Sequence, residues 1–194
     1  MIRSLRERLL APRAPAGYRP GVTLGHLARN LGQLDMHWLE PAAGVIQGPA
    51  QGWRAEVRER VEAHLLMHVV TCEFQLCVPA LQPGDVRLQL RHTGAVRRSG
   101  VACVYRAGDK ARFAQVRDHL LSDGALQAAL MPLDFKRLTL ECLGGQWCLG
   151  LEHMGGSEVV NRMPAFRRYL QISPQQREHL SNSLALLSAS LQRI

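Results

Sequence analysis

The sequence predicts an α+β domain: a mostly antiparallel sheet with a C-terminal meander, packed by helices, the last of them long and amphipathic. Three observations predict it. Ser173-Pro174-Gln175-Gln176 is a capping box with proline at the first helical position, and Leu180, Leu184, Leu187 and Leu191 recur behind it at helical spacing. Before it come short runs that alternate apolar and polar residues, joined by glycine pairs and a proline turn. Hydrophobic residues make up 46% of the 194 and charged residues 21%, so the chain can bury a core of its own.

Residues 1–52 read as an N-terminal helical arm with linkers, and residues 53–194 as the main body of one cooperative domain. At the start, Ile2, Leu5, Leu9 and Leu10 oppose Arg3, Arg6 and Arg8, as in a short amphipathic helix. The apolar run stops at Leu10, short of the ~7–15 residues of a secretory signal. Residues 11–21 are rich in Pro, Gly and Ala and read as a linker. A helix follows from Leu24 to Leu31, with Thr23 as its cap and Gly32 as its stop. Residues 41–52 form a second loop-like stretch.

Trp53 to Pro79 has no Gly or Pro until its end. Its first half carries helix formers and spaces Val57, Val61 and Leu65 four apart, which predicts a helix; its second half is β-branched and predicts a strand. One long strand is the rival reading, because alternation also fits parts of it. Val86–His92 and Val101–Arg106 are strands on either side of a turn. Asp109 caps a helix with Phe113, Val116, Leu120 and Leu121 on one stripe and Gly124 as its stop, and a further turn or two run through Leu130. Arg137–Leu143, Gln146–His153, Glu158–Met163 and Phe166–Ile172 are four more strands, turning at Gly144-Gly145, Gly155-Gly156 and Pro164. The final helix, Pro174 to Leu191, lays its leucines on the sheet; a homodimer seam is the alternative.

Five cysteines, an odd number with no CxxC pair, sit mostly in apolar runs, which predicts buried thiols in a reducing, cytoplasmic compartment and no disulfide framework. No run approaches the ~18 apolar residues of a membrane span. The net charge is +8, and apart from Lys110 and Lys136 every basic residue is an arginine. The arginines are scattered along the chain instead of gathered in a tail. Nucleic-acid or polyanion binding through Arg97-Arg98, Arg167-Arg168 and the N-terminal arginines would need them to merge into one patch, and aromatic residues for stacking are only 5%.

His64 and His68, with Glu62 before them, would share one face of a helix and could centre an enzyme site or hold zinc. A third ligand is missing nearby, and the metalloprotease pattern fails because Leu65 stands where Glu is required; no metal and no cofactor are expected. Ser157 lacks the GxSxG context of a hydrolase elbow, and no phosphate-cradling glycine loop is present. An antiparallel sheet under a long helix can enclose an apolar pocket. Glu62, His64, His68, Trp147, His153 and Arg168 are the candidate binding residues.

The stretches EAHLLMHVVTCEFQLCVP (62–79) and WCLGLEHMGGSEVVNRMPAFRRYLQIS (147–173) resemble an uncharacterised proteobacterial family of unknown function. The resemblance covers most of the chain, implies a bacterial cytosolic protein and transfers no functional residues. The preferred reading is a non-catalytic cytosolic binding protein for a small apolar ligand or a partner protein. The rivals are an enzyme centred on His64 and His68, and an arginine-based binder of nucleic acid.

Overall fold

The computed structural model describes residues 15–32, 34–49, 52–94 and 97–194. The amphipathic helix expected around Ile2–Leu10 lies outside them. The elements are α1 (Val22–Asn30), β1 (Met36–Glu40), β2 (Ala43–Gln47), β3 (Arg54–Ala63), β4 (Met67–Pro79), β5 (Val86–Thr93), β6 (Gly100–Gly108), α2 (Lys110–Ser122), α3 (Gly124–Leu130), β7 (Phe135–Leu143), β8 (Gln146–Arg162), β9 (Ala165–Leu170) and α4 (Pro174–Leu191). The strands form one sheet in the order β1-β2-β3-β4-β8-β7-β5-β6, with β9 added to β8. Every described pairing is antiparallel.

The predicted α+β architecture is therefore present, and the helices pack on one face of the sheet. Ser173 caps α4 by accepting from the Gln176 amide, and Leu180, Leu184, Leu187 and Leu191 are fully buried. Burying each contributes about 1.5–3 kcal/mol. The leucine ridge is covered by the chain's own sheet, so it is not a dimer seam. Gln176 does not close the box. Its side-chain amide donates to the Pro132 carbonyl, and its oxygen accepts from the Asp134 amide.

Several elements differ from the sequence reading. The segment expected as a helix from Trp53 is strand β3, with Ala55 and Val57 buried and Arg54 and Arg60 exposed. The loop-like stretch 41–52 carries β2, whose Val45 and Ile46 enter the core. Gly124 opens α3 instead of ending α2, because the Asp123 side chain accepts from the Leu126 amide. Gly155-Gly156 is not a turn: β8 runs unbroken through it, with a bulge facing the step from Val70 to Cys72 in β4. Gly156 adopts φ 82°, and Leu27 of α1 lies 2.8 Å from where its Cβ would sit. The glycine thus serves both the left-handed backbone and the close helix packing.

Thr23 does not cap α1. The Glu59 carboxylate does so from β3, accepting from the Leu24 amide (2.7 Å), the Gly21 amide (2.9 Å) and the Tyr18 hydroxyl (2.7 Å). A negative group at a helix N-terminus is electrostatically favoured, and here it fastens α1 to the sheet. Two cysteines expected to be free form the pair Cys77–Cys148, directly opposite each other on β4 and β8. They lie 71 residues apart in sequence, so no local motif announced the link.

The face of the sheet away from the helices is charged but internally neutralised. Arg58 pairs with Glu40 and Glu56, Arg60 with Glu73, Arg87 with Glu141, and Arg137 with Glu62 and Glu152. Glu73 and Glu152 stand opposite each other across β4 and β8, a like-charge contact that the flanking cations relieve.

Candidate functional site

The six candidate residues fall into two regions. Trp147 is buried beneath α2, where its ring lies 5.8 Å from the Arg112 guanidinium and its Nε1 donates to the Ile194 carbonyl. His153 is buried beside α4, with Nε2 and Nδ1 each 3.1 Å from an acceptor, Gln176 Oε1 and the Gly155 carbonyl. A neutral ring can donate to only one of the two. Burial lowers the His153 pKa, against the opposing pull of those contacts.

The other four lie on a lobe made by the far ends of β3, β4, β8 and β9, which run on past the pairing of β2 with β3 and of β7 with β8. Glu62, Val69, Val159 and Arg168 form one row across the sheet face away from the helices. Glu62 is tied to Lys136 at 2.6 Å, which with Arg137 holds its carboxyl below the ordinary range. His64 is exposed in the turn between β3 and β4, whereas His68 is buried on the helix-bearing face. Strand geometry thus separates the two histidines that a helix would have brought together. Among the described residues no three metal-ligating side chains converge.

His68 lies in a row with Val160 and Arg167, beneath Gly17. Among the described residues neither of its ring nitrogens has a hydrogen-bond partner. Burial, then Arg167 and Arg162, push its pKa down, with Glu158 opposing. Glu158 is itself buried, accepts from Arg167 at 3.0 Å and from the Thr23 hydroxyl at 3.3 Å, and so ties β9 and α1 to β8. His68 and Glu158 are thus buried in packing among the described residues.

The open chemistry of the lobe is at its apex. The β3–β4 turn presents Leu65 and Leu66, which are 88% and 51% exposed. The β8–β9 turn, with a cis Met163–Pro164 bond, presents Met163, 74% exposed, and Phe166 follows at the start of β9, 48% exposed. The turns are joined, because the Arg162 amide donates to the Leu66 carbonyl at 2.8 Å. Met67 and Phe166 both lie in the row that includes Asn161, so the apolar surface continues onto the sheet. Arg162 and Arg168 flank it, exposed and with no carboxylate partner among the described residues. Large apolar side chains gathered on a rigid projection mark a contact surface.

Residues 29–191 match the family described as a protein of unknown function, DUF3156. The chain belongs to this family. No curated protein and no solved structure matches it. The matched span contains all six candidate residues and both turns of the apex.

The sequence reading placed Leu65 and Leu66 in a helix and Met163 at a strand end, and so missed the apex. The available signal was two apolar clusters at turns, each next to a basic or titratable residue. Hollows on the described surface, such as those beside Gly150, Gly32, Arg58 and Gly52, are open to solvent and lined in part by charged side chains. The hollow beside Gly150, about 320 Å³, is lined by Arg60, Glu73, Thr139 and the Cys77–Cys148 pair. None of the four is an enclosed apolar pocket. No helix among the described residues is long and apolar enough to cross a membrane.

Proposed function

We propose that this protein is a non-catalytic binding protein that docks reversibly on an anionic lipid surface through the apex of its twin hairpins. One observation carries the reading: four exposed apolar side chains crown two bonded turns, with arginines behind them. An exposed apolar tip of this kind can enter the boundary between headgroups and acyl chains. Arginines at the level of Arg162 and Arg168 would meet lipid phosphates there.

The energetics suit reversible docking. Partial burial of Leu65, Leu66, Met163 and Phe166 contributes about 4–6 kcal/mol on area grounds. Each arginine near an anionic leaflet adds about 1 kcal/mol. A total of about 6–8 kcal/mol corresponds to dissociation constants between about 1 μM and about 40 μM.

Co-flotation with vesicles containing phosphatidylserine or phosphatidylglycerol tests this. Binding should weaken with added salt and be largely lost in neutral phosphatidylcholine. Leu65→Ser with Met163→Ser should abolish flotation without lowering the unfolding midpoint, since both side chains are exposed. Flotation unchanged in that variant refutes the reading. So does equal binding to heparin or single-stranded RNA by wild type and variant, which would favour the arginine-based polyanion alternative.

A further inference from the structure

The five cysteines divide between the two faces of the sheet. Cys72 and Cys142 are buried opposite His153 and Trp147, and Cys103 packs against the core opposite Leu90. These three thiols lie on the helix-bearing face. Cys77 and Cys148 point the other way. Each sits between buried neighbours, Leu76 and Val78 on β4 and Trp147 and Leu149 on β8, so strand alternation turns both sulfurs to the open face. Cys77 is exposed and Cys148 half-buried.

The linked pair lines the hollow beside Gly150, which holds about 320 Å³. Gly150 keeps that space clear, since a Cβ there would lie 2.8 Å from Glu73 Oε1 and 3.1 Å from Thr139 Oγ1. The cations of the hollow, Arg60 and Arg87, are paired with Glu73 and Glu141, so the four charges cancel. The disulfide also joins strands that are already held. Strand β4 pairs with β8 on both sides of it, through Leu76–Leu149 and Val78–Trp147, and β8 pairs with β7 at Cys148–Glu141. Opening the sulfur–sulfur bond therefore breaks no ladder and uncovers no core. The ladder keeps the two thiols side by side, so closing it again is an intramolecular step.

We propose that Cys77–Cys148 is a redox-active site that exchanges with a low-molecular-weight thiol. The incoming thiolate attacks Sγ of Cys77, the more exposed sulfur, and Cys148 leaves as a thiolate that takes up a proton. A second thiolate then attacks the small-molecule sulfur of the mixed disulfide and releases Cys77, which is protonated in turn. Two small thiols give up two electrons and become one disulfide, and the protein becomes a dithiol. No third cysteine of the chain intervenes, because the other three lie on the opposite face. The proposal does not depend on the lipid-docking reading. The site is at the Pro79–Gln146 end of β4 and β8, whereas the apex is at the Met67–Asn161 end.

The test treats the whole oxidised chain with reduced glutathione in the absence of denaturant, then counts thiols by alkylation and peptide mass spectrometry. Cys77 and Cys148 should become alkylated together, at a rate that rises in proportion to glutathione. Cys72 and Cys142 should stay unmodified and the circular dichroism unchanged, and oxidised glutathione should restore the link. In oxidised glutathione, Cys148→Ser should form its mixed disulfide at Cys77 about tenfold faster than Cys77→Ser forms one at Cys148. A reduction rate that levels off at the unfolding rate overturns the proposal, because the link would then open only with the fold. So do cysteines 77 and 148 that stay reduced in oxidised glutathione, alkylation of Cys72 or Cys142 that keeps pace with Cys77, or equal rates in the two variants.

Discussion

Replacing Glu59 by alanine removes the carboxylate that holds α1 on the sheet. In the native protein it accepts from two backbone amides and the Tyr18 hydroxyl. Loss of a helix cap costs about 1 kcal/mol. Loss of the negative charge at the helix N-terminus costs about 0.3–1 kcal/mol more. The Tyr18 hydroxyl and Gly21 amide lose their acceptor, which adds about 1 kcal/mol where water reaches them only in part. The total is about 2–3 kcal/mol, which for a chain of this size lowers the melting temperature by about 4–12 °C. Glu59→Gln keeps one acceptor oxygen and should lose about 1 kcal/mol. Urea unfolding gives the free energy, and hydrogen exchange should show the loss concentrated in α1, whose Leu24 and Leu27 are fully buried. Tyr18 supplies a second readout. Burial, then Glu59, raises its pKa above the ordinary phenol value, so an ultraviolet titration of the alanine variant should move back toward that value. A Glu59→Ala protein within about 0.5 kcal/mol of wild type, with unchanged exchange in α1, would refute the account of how this helix is anchored.

Acid should destabilise the fold through its buried histidines. His68, His92 and His153 all have pKa values lowered chiefly by burial, so between those values and about pH 6.5 the unfolded chain binds more protons than the folded one. Their contribution is complete above about pH 6.5 and declines as pH falls below it; His68→Leu should flatten the stability profile from pH 7 to 5, and an unaltered profile would exclude His68 as a source. The link between Cys77 and Cys148 closes a loop of 71 residues, so reduction should cost about 2–4 kcal/mol in urea unfolding, and Cys77→Ser should make reductant irrelevant. A loss under about 1 kcal/mol on reduction would mean that the pair does not constrain the unfolded chain.

The parts of the fold legible in the sequence were those whose signals are local. Ser173 before Pro174, and Asp109 before Lys110, name helix starts within four residues, and both caps form. Strand β5 alternates without interruption and is a strand. Strand β3 misled because a spacing of four is a multiple of two, so Val57 and Val61 satisfy helix and strand alike. Its charged residues are good helix formers, but here Arg58, Arg60 and Glu62 pair with carboxylates or cations on other strands, which no local window contains. Gly155-Gly156 misled for a related reason. Its task is to admit Leu27, a residue about 130 positions away in the chain. The candidate site shows the same division. Glu62, His64 and His68 were chosen for helical adjacency, whereas the apex arises because two hairpins, a hundred residues apart, end side by side.

The bulge in β8 changes which residues count as interior. Before it, odd-numbered residues (Trp147, Leu149, Leu151, His153) face the helices; after it, even-numbered ones (Glu158, Val160) do, in line with His68 and Val70. One continuous strand therefore obeys two opposite reading frames, and the irregular stretch is the hyphen between them. A residue gained or lost within that hyphen can be taken up there, but the same change at Leu149 would transpose core and surface along half the strand. Within this longest strand, tolerance to length change is confined to those few positions, far from any loop.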